Sequence, residues 1–426
     1  MKNNYPKIKY FDLYSLRKEK GDFLESHDVK NTKWQELELK EPNFWFVPKD
    51  MRGEKTYDKF ISVKDIFEKY NAGIATGKDE ILVDFDEQAL IRKLAIYDKD
   101  VFKMTMQNHG ISKDLVDVWY DELKNEDIEN QIEVYNYRIF DKRFVVYNNK
   151  ILQRARTVIM NNFLKDNLAL VTTKILSSKK YKHAFISNCI SDRCLISNRG
   201  REANYYFPLY LYNIDDYAPK NKKAKSSYGN LMLFDKPKEK EANIKNEIVE
   251  KLSESYKKEI TPKEIFYYIY AVLYSDIYRK KYNEFLKIDF PKIPFTKDAK
   301  LFNKISKSGK ELADLHLLKS DKLENDKSIK FPAVGNNKVE KREYKDNKIY
   351  INDKQYFVSV TPEVWNYYIG GYQVLDKWLK DRRDKVLLNE DVNHYLKVIT
   401  ALKLTIEAQK EIDELYGEVE KTILKK

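Results

Sequence analysis

Between Tyr137 and Ala203 the sequence places 14 Lys and Arg residues against four acids, Asp141, Asp166, Asp192 and Glu202. That is +10 on 67 residues, with only +2 left for the other 359. A basic band inside a foldable, aromatic-rich stretch suits a polyanion whose phosphates Lys and Arg neutralise. Half of these cations are Arg, whose planar fork pairs bidentately with phosphate or the guanine edge. The leading candidates for duplex DNA contact are Arg138, Lys142, Arg143, Arg154 and Arg156, with Arg143 and Arg154 flanking an expected hairpin, Phe144–Leu152. Gln153 adds an amide able to pair with adenine. Lys179, Lys180 and Lys182 form a run of point charges, and Arg193, Arg199 and Arg201 surround the turn-like Asn198-Arg-Gly. The plainer alternative is a solvated basic face, in which Arg138 equally well bonds Asp141. Lys222, Lys223 and Lys225 offer only unspecific attraction to phosphate.

Catalytic parts are missing from the same text. There is no Gly-x-Gly-x-x-Gly after a strand and no Gly-x-x-x-x-Gly-Lys-Ser/Thr loop; Gly73 and Gly77 have the wrong spacing for either. Val83-Asp84-Phe85-Asp86 supplies acids without the lysine partner of a two-metal nuclease. The five histidines (27, 109, 183, 316 and 394) never fall at the i,i+4 spacing of a zinc helix. Cys189 and Cys194 with His183 make three ligands at an unusual spacing with no fourth, so reduced thiols are the expectation. His316, among Leu315, Leu317 and Leu318, reads as a buried structural histidine.

The elements that must position the band follow from pattern. A length of 426 residues suggests two or three domains, and 42% apolar residues are enough for real cores. No apolar run is long enough to cross a membrane, and the polar start Met1–Pro6 gives no signal-peptide core, so the expectation is a cytoplasmic protein. A strand over Ile8–Leu13 and a helix from about Ser15 to Ser26 are expected, then a helix over Ser62–Tyr70 capped by Ser62. Glu80–Phe85 reads as a strand, residues 86–130 as helices, and Val134–Tyr147 as paired strands. Asp215–Glu241 reads as a surface loop. Thr261-Pro-Lys-Glu264 is a capping box with Pro at N1, opening a helix expected to run past Tyr278. Ile349–Phe357 reads as a hairpin around Asn352-Asp353. A helix from Thr361-Pro362 through Trp378 and an amphipathic one from Asn389 to Leu424 close the chain. The fold class is α+β.

Several blocks together resemble one family. They are Tyr137-Arg-Ile-Phe-Asp-Lys-Arg-Phe-Val-Val-Tyr147, Leu152-Gln-Arg-Ala-Arg-Thr-Val-Ile-Met160, Tyr205–Tyr212 and Tyr268–Ser275. Phe285–Phe295, Gly309–Leu318 and Val364–Lys380 follow in the same order. This series resembles the C-terminal specificity region of Type ISP restriction–modification enzymes and related adenine-specific DNA methyltransferases. The resemblance implies a mixed α/β target recognition domain with a helical C-terminal spacer. It assigns 1–72 to the tail of a methyltransferase-like domain and connector, 73–330 to target recognition, and 331–426 to a β-hairpin plus C-terminal helices. It further implies S-adenosylmethionine in the parent enzyme. This chain lacks the Asn-Pro-Pro-Tyr/Phe tetrapeptide and carries no cofactor motif, so neither methylation nor cleavage comes with it.

The resulting expectation is a sequence-specific duplex DNA recognition module of a bacterial restriction–modification enzyme. It would position a target adenine for flipping into a methyltransferase domain or subunit absent from this chain, either because the chain is an excised fragment or because the gene is split. The second reading is a non-specific nucleic-acid (RNA) binding or scaffolding protein, which exposed aromatics near the band would favour.

Overall fold

The computed structural model describes residues 6–39, 41, 44–125, 128–200, 202–212 and 240–424. Lys222, Lys223, Lys225 and Arg201 lie outside the described residues, as does nearly all of Asp215–Glu241. The chain divides into two compact units, Met1–Glu54 and Lys55–Lys426. The first contains an antiparallel pair, Ile8–Tyr10 with Gln35–Leu37, and a helix, Arg17–Ser26. None of its described residues is buried.

The second unit is α+β. One four-stranded sheet runs Ile190–Ser191, Ile132–Arg138, Asp141–Val146, Val83–Asp84. The other runs Asn71–Ala72, Asn204–Pro208, Ala169–Thr173, Ala184–Ser187. Alternating β-branched and aromatic residues build the central hairpin, Ile132–Val146, in the register Tyr135↔Arg143 and Val134↔Phe144. Residues 144–152 therefore contain no hairpin of their own; the turn is Ile139-Phe140, and Phe140 takes φ 55°. That left-handed backbone is compensated by burial. The Phe140 ring meets Phe185 edge-on, and its carbonyl accepts from His394 Nε2 at 2.7 Å. The tip of the hairpin is thus anchored inside the protein.

Three helices pack on one another, the first two also against Ala184–Ser187: Pro262–Tyr274, Ala299–His316 and Asn389–Val419. The first is buried on nearly every face, as a helix apolar all round must be. Its capping box forms as expected, Thr261 Oγ1 accepting from Glu264 N at 3.3 Å. It stops at Tyr274, because Ser275 caps a separate helix, Asp276–Lys281. Gly309 lets the second helix touch the first, since a Cβ there would lie 1.9 Å from the Tyr267 carbonyl oxygen. One apolar cluster extends from Ile74 to Leu402 and so joins the sheets to the C-terminal helices.

Other local expectations were overridden by distant pairing. Ile61–Ser62 pairs with Lys292–Ile293, leaving one helical turn, Val63–Ile66, without a side-chain cap. Asp79–Leu82 is helical, and only Val83–Asp84 is strand. The region 86–125 is helical as expected, but Val101, Leu115 and Val118 are exposed; Phe102, Met106 and Val116 fill the core instead. The stretch from Thr361 to Trp378 is broken by a hairpin, Tyr368–Ile369 with Tyr372–Gln373, turning at Gly370 with φ 59°.

Candidate nucleic-acid interface

The band is organised by the segment Gly73–Gly77, which pairs on both sides. Ile74 N donates to the Ser191 carbonyl at 3.0 Å, and Arg193 N to the Ile74 carbonyl at 2.9 Å. On the other side Ala75 and Arg154 exchange both backbone bonds, at 3.0 and 2.9 Å. Bridge partners share a face and neighbours alternate. Ile74 and Asp192 point into the core, so Arg193 and Arg154 lie on the opposite face with Ala75 between them. Both arginines are exposed, and Gln153 is exposed next to Arg154. The amides of Gly73, Ile74 and Ala75 are all bonded to backbone carbonyls, those of Asn204, Ser191 and Arg154.

Beneath that face lies a buried polar cluster. Arg138 Nη1 reaches Asp192 Oδ1 at 3.2 Å and its guanidinium lies 3.9 Å from the Tyr137 ring centre. Tyr135 donates to Asp192 Oδ2 and Cys194 N to Oδ1. Burial pushes the Asp192 carboxyl above its ordinary range, against the opposing pull of Arg138 and the Tyr135 hydroxyl. Arg138 therefore bonds Asp192 rather than Asp141. Asp141, 1% exposed, is held instead by Arg143 Nη2 at 2.8 Å and Arg382 Nη2 at 3.0 Å. The Arg143 guanidinium is also layered between the rings of Tyr137 (3.8 Å) and Phe85 (4.0 Å).

A second buried carboxylate sets the lysine run. Glu202 accepts from Ser177 N at 2.7 Å, Ser178 N at 3.2 Å, Ser197 Oγ at 2.5 Å and His183 Nε2 at 3.1 Å. Burial alone would raise its pKa, but these hydrogen bonds win and hold it well below the carboxylate range. Burial lowers the pKa of His183 in spite of Glu202. Glu202 thus ties the base of the Lys179–Lys180 segment to the Ser197–Arg199 segment. Lys142, Lys179, Lys180 and Arg199 are exposed, Lys182 is half-buried, and Lys142 Nζ lies 3.3 Å from Asn188 Oδ1. Arg156 is half-buried at φ 55°, with a buried Nε that has no hydrogen-bond partner. Cys189 is a buried free thiol pushed up to about 11 by burial, and Cys194 is free as well. Among the described residues no three His, Cys, Asp or Glu gather as a metal site.

The structure so brings Arg154 and Arg193 to one face, leaves Gln153 exposed over Gly77, and withdraws Arg138 and Arg143 into ion pairs. Sequence reading missed Arg382, 241 residues from Asp141, for which no local signal exists. Among the described residues of the band, no aromatic side chain is exposed. No helix among them is long and apolar enough to cross a membrane.

Comparison with known proteins is consistent with this architecture. A nuclease-deletion mutant of the Type ISP restriction-modification enzyme LlaGI, solved with a DNA substrate mimic, superposes with a TM-score of 0.70 at 19% identity, over 96% of this chain and 33% of that one. The ATP-dependent Type ISP enzyme LlaBIII bound to DNA gives 0.66 at 22% identity, over 89% and 25%. A DrdV–DNA complex gives 0.73 at 17%, over 95% and 43%. The chain thus spans a third of the LlaGI chain. No curated protein matches the sequence. Residues 65–412 match the family described as the Type ISP C-terminal specificity domain, and with most of its length inside that match the chain belongs to this family.

Proposed function

We propose that this chain is the sequence-recognising module of a bacterial restriction–modification enzyme, working in the cytoplasm on duplex DNA. In this reading it grips phosphates, reads base edges and presents a target adenine to a methyltransferase domain that binds S-adenosylmethionine. The observation that supports it best is the face on which Arg154 and Arg193 are set side by side by Gly73–Gly77, with Gln153 exposed next to them. Lys142, Lys179, Lys180 and Arg199 would add phosphate contacts, and Arg201 belongs to the same assignment. Arg138 and Arg143 are positioning residues here, supporting the face through Asp192 and Asp141, and Arg156 braces the turn before Thr157.

The first unit fits the tail of the methyltransferase-like domain. It buries none of its described residues and exposes Tyr14, Leu16, Leu24, Val29 and Phe46, apolar surface suited to that domain. Binding of the full chain to a duplex across a salt series tests the proposal. If six to eight phosphates are neutralised, log K against log[salt] slopes about −5 to −7. A flat response, or no binding at low salt, refutes it.

A further inference from the structure

A cavity of about 350 Å³ opens beside the lysine run, lined among others by Lys180, Lys182, Asp276, Arg279, Lys280 and Tyr368. Its walls are fixed. Asn283 clamps the lysine segment from one side, its Nδ2 donating to the Lys179 carbonyl at 3.0 Å and its Oδ1 accepting from Tyr181 N at 3.0 Å. Gly370 N holds the other side, donating to the Lys182 carbonyl at 2.7 Å. Tyr367 and Gln409 satisfy each other, hydroxyl to Oε1 at 2.7 Å, and Gln409 Nε2 donates to the Tyr274 carbonyl.

What is left unsatisfied is positive charge. Arg279 is 6% exposed; its Nε donates to the Leu273 carbonyl at 2.5 Å and its guanidinium lies 4.4 Å from the Tyr274 ring centre. Its Nη2 is buried with no hydrogen-bond partner, the neutral Tyr274 and Tyr367 hydroxyls are the polar groups beside the guanidinium, and among the described residues no carboxylate comes within ion-pair distance of it. A buried cation without a counter-ion is strongly disfavoured, so its retention calls for an anion from outside. The half-buried Lys182 ammonium meets only ring faces among the described residues, Tyr367 at 5.9 Å and Tyr368 at 5.5 Å. Burial and the nearby Arg279 both pull its pKa below the ordinary lysine value. Lys180 and Lys280 stand exposed at the mouth, and Asp276 is the single carboxylate among the lining residues. Four cations against one acid select an anion; a guanidinium joined by ammonium groups suits a phosphate, with several oxygens to share. The volume matches a small-molecule pocket, and Tyr368 at the rim offers a ring to an attached base.

We propose that this cavity is a phosphate-binding pocket for a nucleotide, with Arg279 and Lys182 gripping the phosphate. The nucleotide comes either free in solution or as part of bound DNA. The pocket does not depend on the Arg154–Arg193 face, so the two readings fail separately.

The test titrates the full chain with AMP, with inorganic phosphate and with a short duplex, reading binding by calorimetry. Saturable AMP or phosphate binding, weakened about tenfold or more in Lys182→Met and lost in Arg279→Gln, establishes a free ligand. No AMP or phosphate binding, but duplex affinity reduced about tenfold in Lys182→Met and Lys280→Ala, assigns the phosphate to DNA. Should Arg279→Gln fail to fold, the two lysine variants decide alone. If folded Lys182→Met and Lys280→Ala bind AMP, phosphate and duplex as the parent does, the pocket proposal is overturned. An Arg154→Ala variant that weakens duplex binding while AMP binding persists separates this pocket from the recognition face.

Discussion

Replacing Arg143 by Ala separates bracing from reading. The side chain is 12% exposed and gives Asp141 Oδ2 two bonds, Nη2 at 2.8 Å and Nε at 3.2 Å, between the rings of Tyr137 and Phe85. Asp141 keeps Arg382, so the carboxylate is not orphaned, but half of a buried ion cluster is lost together with a cation–π stack. Losing hydrogen bonds to a charge that keeps its other partner costs about 1.5–3 kcal/mol. In a unit of about 370 residues the unfolding entropy is roughly 0.8 kcal/mol/K, so Tm falls by about 2–4 °C. Binding of a duplex by the folded fraction keeps its salt slope, because the guanidinium does not face solvent. Arg154→Ala is the mirror case: stability stays within about 0.5 kcal/mol while the salt slope drops by about 0.9. Thermal unfolding and a salt series on both variants decide the matter. An Arg143→Ala protein with the parent Tm and a weaker, shallower DNA response would refute the assignment of Arg143 to the brace.

Three further outcomes are expected. Ala at Lys142, Arg154 and Arg193 together should shallow the slope of log K against log[salt] by about 2.7; a slope equal to the parent's removes this face from the DNA site. Burial, aided by the Arg279 charge, lowers His316 from the usual histidine value to about 3. The ring is neutral in the fold while the unfolded chain takes up its proton below about 6.5, so stability falls with acid between pH 6.5 and 3. The share of His316 is about 3 kcal/mol at pH 4; urea titrations of His316→Gln should show the acid loss shrinking by that amount, and an unchanged loss refutes the assignment. Gly309→Ala should cost about 1–3 kcal/mol by urea unfolding, since its Cβ would meet the Tyr267 carbonyl oxygen at 1.9 Å; parent-like stability would mean the helices are free to move apart.

What the sequence disclosed was whatever its own neighbours decide. The Thr261–Glu264 box, the Ile349–Phe357 hairpin and the Ile132–Val146 pair are local, with caps, turns and alternation within a few residues. The helix expected over Ser62–Tyr70 failed because Ile61–Ser62 finds its strand partner at Lys292–Ile293, and pairing outweighs a weak capping preference. The helix through Thr361–Trp378 failed at Gly370-Gly371, where a Cβ at Gly370 would strike the Ile196 carbonyl oxygen at 1.9 Å; the glycines mark close approach to the band as well as a turn. The same holds for the site. That a basic band exists is written in residues 137–203, but which cations it shows to solvent depends on Arg138 meeting Asp192, and Arg143 and Arg382 meeting Asp141, in three dimensions.

The acids of the band change the meaning of its charge count. On paper Asp141, Asp192 and Glu202 offset three cations. In the fold all three are buried, and two of them take Arg138 and Arg143 inside with them, while Glu202 is held mainly by neutral donors. Asp166 is the one acid of the band left exposed, against Lys142, Lys150, Arg154, Lys174, Lys179, Lys180, Arg193 and Arg199. The surface is therefore more one-sided than the sequence is. Buried carboxylates stabilise the scaffold where their field is spent on partners, and leave the outer face almost purely cationic, the arrangement that attracts a phosphate backbone over a Debye length. A band with the same composition but its acids outside would fold on weaker ion pairs and meet DNA with about half its attraction cancelled locally.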